Sequence, residues 1–244
     1  MRLLLIAGAD EARHIALALW REPGFSVTVS QTRAGMRPET FGWPVRIGGW
    51  YDDDAFSDWL GSERFDAIID ASHPFATDLS SRVSRVAQNL GVDHIRFLRP
   101  AWVPSPEDNW VFLNSEAQAA DHIPSDARVF ASVGRTELGA LGNLEGRRVF
   151  FRVAEWPVGQ FPFEGGDFLF NPGPYTIASE RRLLRRLEID WLVARNTGGS
   201  GSWPKIEAAR ELGLPVALVR RPPPPEGPRV TTVAETLAWV RRRM

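Results

Sequence analysis

Apolar and polar positions follow one another along the chain in blocks of two kinds. Arg2–Ile6 is a short apolar run ending at Gly8, the pattern of a strand buried on both faces. Glu11–Arg21 places Ala12, Ile15, Ala16 and Leu19 at helical spacing, and Pro23-Gly24 stops it. Phe25–Ser30 and Val45–Gly48 are the next strands. Asp52-Asp53-Asp54 opens a helix, where carboxylates suit the positive end of the helix dipole. Ala67–Asp70 predicts a fourth strand, Asp78–Leu90 a helix ended by Gly91, and His94–Leu98 a fifth strand. This alternation predicts a parallel sheet with helices on both faces.

Residues 99–127 interrupt the pattern. Three prolines fall between Arg99 and Asp108, and only Trp110–Leu113 and a short helix near Ser115–His122 follow, so the segment reads as a connecting region. From Arg128 the alternation restarts. Strands are predicted at Arg128–Val133, Arg148–Val153, Trp191–Ala194 and Val216–Arg220, with helices at Thr136–Leu141, Ile177–Leu187 and Ile206–Leu212. Pro157–Pro174 is rich in proline and glycine, Pro222–Pro225 reads as a polyproline strut, and Thr232–Arg243 as a closing amphipathic helix. The expected architecture is α/β: two Rossmann-like lobes, 1–98 and 128–244, with parallel sheets facing a cleft and ligands at the carboxyl ends of the strands.

Composition narrows the chemistry. The 244 residues contain no cysteine, which removes disulfides, thiolate metal sites and cysteine nucleophiles. No two of the four histidines fall at metal-pair spacing, so no metal site is expected. A net charge of −1 gives no basic excess for nucleic acid. The apolar run at Leu3–Ala9 is too short for a signal segment or a membrane span, so a cytoplasmic protein is expected, with no membrane partner. Of 29 basic residues, 28 are arginine; the one lysine, Lys205, stands out where a compact or tunable ammonium is required.

The chemistry-bearing residues cluster in loops that follow strands. Gly8-Ala9-Asp10-Glu11 occupies the place of a dinucleotide fingerprint but keeps only its first glycine, leaving a tight turn and a helix N-terminus that suits an anion. Ser30-Gln31-Thr32-Arg33 ends the second strand without the carboxylate that holds NAD ribose; hydroxyls and a guanidinium suit a 2′-phosphate, so NADPH is favoured. Ser72-His73-Pro74-Phe75-Ala76-Thr77 is a ligand-facing loop, with Thr77 also a candidate helix cap. Gly134-Arg135 repeats the strand–glycine–helix arrangement. The cofactor set expected from these loops is Gly8, Ala9, Glu11, Ser30, Thr32, Arg33, Ser72, His73, Pro74, Phe75, Thr77, Gly134 and Arg135. Tyr175 and Thr176 precede a helix, and Asn196-Thr197-Gly198-Gly199-Ser200 leads through Trp203 to Lys205. These two loops are expected to bind substrate.

Together these markers, with Arg99-Pro100-Ala101-Trp102, Glu137-Leu138 and Pro215–Arg220, resemble the precorrin-6A reductases of cobalamin biosynthesis (CobK/CbiJ type) over nearly the whole chain. The first turn departs from the family, reading Gly-Ala-Asp where members often read Gly-Gly-Thr. The resemblance implies NADPH-dependent reduction of one ring double bond of precorrin-6A, or of its cobalt-containing relative, to precorrin-6B. It implies an NADPH-binding first lobe and a second lobe contributing the tetrapyrrole site, in a monomer with neighbouring pathway enzymes as candidate partners. Lys205 and Tyr175 are the candidates for a catalytic proton donor, and Lys205 is expected to act mainly as a solvated ammonium holding a substrate carboxylate, a poor acid near its ordinary pKa. Two alternatives stand beside this one: an NADPH-binding regulatory protein without catalysis, and a two-lobed nucleotide-sugar transferase. A short-chain reductase would need Tyr-x-x-x-Lys, and Ser179 stands where that lysine would be.

Overall fold

A computed structural model describes residues 1–32, 38–157 and 159–244. The chain forms two compact units. The first comprises Met1–Pro100 with Pro222–Met244, and the second Ala101–Arg221.

The first unit is a six-stranded sheet in the order β3-β2-β1-β4-β5-β12, and every neighbouring pair is parallel. Its strands are β1 (Arg2–Ala7), β2 (Ser26–Gln31), β3 (Val45–Ile47), β4 (Ala67–Ala71), β5 (Asp93–Phe97) and β12 (Arg229–Val230). Side chains alternate between the faces of a strand. Leu3 and Leu5 therefore join the core under α1 (Glu11–Trp20) and α6 (Val233–Arg241), while Leu4 and Ile6 join the core that includes Phe56 and Leu60 of α2 (Asp53–Glu63) and Val83 and Val86 of α3 (Thr77–Leu90). Cover on both faces is why these strands read as continuous apolar runs.

The second sheet has the order β6-β11-β10-β7-β8-β9, again parallel throughout. It is built from β6 (Trp110–Leu113), β7 (Arg128–Ser132), β8 (Arg148–Val153), β9 (Gly166–Phe170), β10 (Trp191–Arg195) and β11 (Val216–Val219). Leu192 and Ala194 pack with Leu183 and Leu184 of α4 (Ile177–Arg186) and Ile206 and Ala209 of α5 (Trp203–Glu211). The first sheet has the strand order of dinucleotide-binding folds, in which the direction of strand addition reverses between two central strands, and β7–β11 repeat it in the second, with β6, the first strand of that unit, at the edge beside β11. That reversal lies between β1 and β4 in one unit and between β7 and β10 in the other.

The observed boundaries correct the expected 1–98, 99–127 and 128–244. Residues 101–127 are part of the second unit, because β6 pairs with β11 as its edge strand. The chain then leaves that unit at Arg221, and β12 pairs with β5 to complete the first sheet. The closing helix α6 accordingly packs on α1. The helices expected near Ser115–His122 and Thr136–Leu141 are 3-10 helices, Glu116–Asp121 and Arg135–Leu144. Gly139 and Gly142 in the latter weaken any α-helical preference. Within Pro157–Pro174 the structure adds β9, which pairs with β8. Among the described residues no helix is long and apolar enough to cross a membrane, and no cluster of three metal-ligating side chains occurs.

Candidate active site

At the reversal point of the first sheet, the β1–α1 turn and the β4–α3 loop touch. Gly8 and Ala9 both donate their backbone N–H to the Ala71 carbonyl at 3.1 Å. A Cβ on Gly8 would lie 2.7 Å from the backbone nitrogen of His73 and 3.1 Å from Ser72 Cα. Glycine is needed here for this close approach, not for a left-handed φ. Gly8→Val should therefore push the two loops apart: we expect a folded protein by circular dichroism whose affinity for a dinucleotide falls at least about tenfold, or roughly 1.4 kcal/mol, in a fluorescence titration. Unchanged affinity would show that the approach does not shape a ligand site.

Most expected cofactor residues cluster at this point. Ser30 is buried at the end of β2, and Thr32 follows it, exposed. Arg33 lies outside the described residues. Ser72 is buried, sharing a hydrogen bond with Ser80 at 3.0 Å, and its N–H donates to Asp70 Oδ1 at 3.0 Å. His73 Nδ1 accepts from the Phe75 N–H at 3.3 Å, and Pro74 is buried between them. Thr77 is the first residue of α3 and Ala76 is its cap position, so the capping role considered for Thr77 does not hold. Glu11 is engaged by the Arg99 guanidinium. Gly134 and Arg135, although expected with the cofactor set, belong to the second unit, where Arg135 is exposed as the first residue of the 3-10 helix after β7.

The helices that leave the reversal points are uncapped, as is the 3-10 helix Glu116–Asp121 after the edge strand β6. Those at the reversal points are α1, α3, α5 and the 3-10 helix at Arg135. α2, α4 and α6 leave peripheral strands and are capped by Asp52, Thr176 and Thr232. Uncapped N-termini leave backbone N–H groups available to an anionic ligand. Near the end of β2 the buried Gln31 Oε1 has no hydrogen-bond partner among the described residues. The residues present thus fit a dinucleotide on the first sheet: a close glycine turn, an uncapped helix end and, at the end of β2, a buried amide oxygen without a partner among the described residues.

At the reversal point of the second sheet, Arg195 at the end of β10 pairs with Glu116 at 2.6 Å and with Glu137 at 2.9 Å. The loop that follows is held from two sides. The Asn196 side-chain amide accepts the Trp102 N–H at 2.8 Å and donates to the Trp102 carbonyl at 2.9 Å. The Trp102 indole donates to the Gly199 carbonyl at 3.0 Å, and Arg221 donates to the carbonyls of Asn196 and Thr197. Gly198 and Gly199 have φ of +63° and +71°, which side-chain-bearing residues rarely adopt. Asn196 and Thr197 are buried, and Ser200 is exposed at the loop tip. Trp203 packs on the α4–α5 core beside Trp102, with ring centroids 5.6 Å apart.

Lys205 corrects one expectation. It is buried rather than solvated, its Nζ donates to the Ser202 carbonyl at 3.1 Å, and its pKa is lowered from 10.5 to about 8. Burial is the main cause; the nearby Arg152 charge adds to it and Glu180 opposes it. Tyr175 donates its hydroxyl to the Asn171 carbonyl at 2.9 Å, and burial raises its pKa. Of the two proton-donor candidates, Lys205 is therefore the more acidic relative to its ordinary value. Thr176 spends its hydroxyl as the α4 cap, accepting the Ser179 N–H at 3.1 Å. Arg152 and Glu180 were not expected to matter. Their signals were an arginine inside the apolar run Val149–Val153 and a glutamate on the same helix face as Leu183 and Leu184.

Comparison with known proteins bears on the family and the fold. The profile of the family described as precorrin-6x reductase CbiJ/CobK matches residues 2–241. A precorrin-6A reductase of Rhodococcus erythropolis is 34% identical over 241 residues, covering 98% of this chain and 97% of its own. A cobalt-precorrin-6A reductase of Methanothermobacter thermautotrophicus is 28% identical over 232 residues, covering 91% and 77%. The solved structure of a CobK precorrin-6A reductase superposes with a TM-score of 0.93 at 31% identity, covering 100% of this chain and 97% of its own. With both sheets, both reversal points and nearly every residue inside the match, the chain belongs to the precorrin-6x reductase family.

Proposed function

We propose that the protein reduces one ring carbon–carbon double bond of precorrin-6A with NADPH, giving precorrin-6B in corrin-ring synthesis. The observation that carries this reading is the family match over residues 2–241. The relatives named for precorrin-6A, such as that of Rhodococcus erythropolis at 34% identity, stand closer to this chain than those named for the cobalt form, at 28% and below, which favours a metal-free substrate. The protein is taken to act as a cytoplasmic monomer, which sedimentation equilibrium tests.

In this reading the first unit holds the cofactor. Gly8, Ala9 and the α1 N-terminus would hold its pyrophosphate, and Ser30 and Thr32, with Arg33 beyond the described residues, would hold its adenosine end. When bound, the nicotinamide supplies a hydride, and the protein's part is to align the rings and manage the proton. The second unit supplies the loop Asn196–Ser200, preorganised by Trp102 and Arg221, and Lys205 behind it. Lys205 meets one carboxylate of the poly-acidic substrate. The direct test is NADPH oxidation that depends on added precorrin-6A; NADPH bound but never consumed would leave a regulatory protein.

Cofactor choice gives a separate expectation. NADPH should be preferred over NADH by at least about tenfold, roughly 1.4 kcal/mol, as one charge-assisted hydrogen bond can supply. Arg33→Ala should raise the Michaelis constant for NADPH and leave that for NADH nearly unchanged. An equal loss with both cofactors would remove the 2′-phosphate role.

A further inference from the structure

An open cavity of about 510 Å³ lies wholly within the second unit, lined by the loop that leaves β9 and by α4. Its volume is in the range of roughly 300–1,000 Å³ typical of small-molecule sites. The loop begins at the carboxyl end of β9, the end at which open α/β sheets bind ligands. Its shape is fixed from within. The Tyr175 hydroxyl donates to the Asn171 carbonyl at 2.9 Å, and the Tyr175 ring lies 4.3 Å from the Arg152 guanidinium carbon. The Thr176–Ser179 capping box then sets where α4 begins.

The cations of the lining are unspent. Arg182 and Arg186 both line the cavity, both are exposed, and they stand one helical turn apart on the same face of α4. Neither guanidinium has an ion pair among the described residues, although Arg181 on the same helix pairs with Glu211 at 2.5 Å. Like charges at this spacing repel. The helix dipole accounts for a cation in the last turn, where Arg186 lies, but not for Arg182 one turn earlier. The carboxylate in the lining, Glu180, does not neutralise them. It is buried, and both its oxygens accept from Arg152 Nη2 at 2.8 Å. The cavity thus presents two positive charges that no anion among the described residues meets.

We propose that this cavity is a carboxylate subsite of the substrate site, in which Arg182 and Arg186 together hold one acid side chain of the tetrapyrrole. This rests on the reading that the substrate is a poly-acidic tetrapyrrole. Charge complementarity selects the occupant. A guanidinium offers two parallel N–H groups in the geometry of a carboxylate, and two guanidinium groups one turn apart can share one acid group. Tyr175 and Thr176 spend their hydroxyls inside the protein, so their loop serves the ligand by walling the cavity rather than by donating to it. The subsite also supplies what the Lys205 carboxylate contact lacks. A flat ring held at one acid group is free to turn about it, and a second anchored group on α4 removes that freedom.

Arg182→Gln combined with Arg186→Gln tests this. Both side chains are exposed, so the core is untouched. Precorrin-6A, titrated by its quenching of tryptophan fluorescence, should bind this double variant about tenfold more weakly than the unmodified protein, the effect of losing a charged hydrogen bond. NADPH affinity should hold. Added salt should narrow the difference, because exposed charges are screened. Arg181→Gln combined with Arg185→Gln is the matched control. It removes the same charge from the same helix at the same spacing, but neither residue lines the cavity. The control should bind precorrin-6A as the unmodified protein does. Equal losses in the two double variants would reduce the effect to overall charge and overturn the subsite. Normal binding by the Arg182 and Arg186 double variant overturns it as well, and leaves the proposed function standing. Precorrin-6A that fails to bind the unmodified protein overturns the proposed function, and the subsite with it.

Discussion

Lys205→Ala is expected to raise the Michaelis constant for the tetrapyrrole roughly 10- to 150-fold, the equivalent of about 1.5–3 kcal/mol for a hydrogen bond to a charged group, with NADPH affinity unchanged. The fold should tolerate the change. Keeping a buried ammonium whose pKa falls from 10.5 to about 8 costs roughly 3 kcal/mol at neutral pH, and alanine removes that cost along with the packing of the side chain. The pH dependence has two parts with opposite signs. On the proposed carboxylate role, substrate affinity should be present below about pH 8 and lost as the pH rises through that value. Stability moves the other way. Between about 8 and 10.5 the unfolded chain binds the proton that the folded one has released, so this residue's unfavourable contribution is full below about 8 and fades as the pH climbs to 10.5. Steady-state kinetics across this range, with denaturation at each pH, reads both. A variant with a normal Michaelis constant and lost turnover would instead make the lysine the proton donor, a role that its depressed pKa permits.

Asp70→Ala should destabilise the first unit by about 3–5 kcal/mol, the range for breaking a buried ion pair from one side. Asp70 Oδ2 accepts from Arg96 Nη1 at 2.6 Å, and both side chains are almost wholly buried. Arg96 Nε and Nη2 have no partner among the described residues, so removing the carboxylate leaves only the Ser72 hydroxyl, 3.5 Å away, for the whole guanidinium. Asp70 Oδ1 also accepts the Ser72 N–H, which sets the start of the β4–α3 loop beside Gly8. Cofactor affinity should therefore fall with stability. A drop in melting temperature of roughly 6–20 °C follows from that energy for a chain of this size. Asp70→Asn, which keeps an acceptor, should lose less. Equal stability in Asp70→Ala would mean that water reaches Arg96.

The legibility of the fold follows from burial. β1 and β4 are covered on both faces, so their residues form apolar runs that mark them within about one position. β12 spans two residues and β9 sits in a stretch of prolines and glycines, so no periodicity can announce either. Trp110–Leu113 reads only as a short block inside the connecting region, since pairing with β11 alone shows that it is a strand and which sheet it joins. The site divides in the same way. The loops after β1, β4, β7 and β10 stand out by glycine, hydroxyl and proline content. What their side chains do depends on partners far away in sequence: Asn196 grips Trp102, and Ser72 meets Ser80. Arg152 looks like one arginine among 28 until the fold seals it against Glu180.

The interleaved path of the chain also dictates an order of completion during synthesis. Residues 101–221 make a contiguous unit that can close on itself once they have left the ribosome. The first unit begins earlier but must wait for residues 222–244 to supply β12 and α6. Until then the β5 edge is unpaired and the apolar face of α1 that packs on Trp239 and Val240 is open. The usual N-terminal-first order of domain folding is thus reversed in its last step. A nascent or truncated chain ending near Arg221 would carry a finished second unit and an adhesive first one, making it a natural client for chaperones.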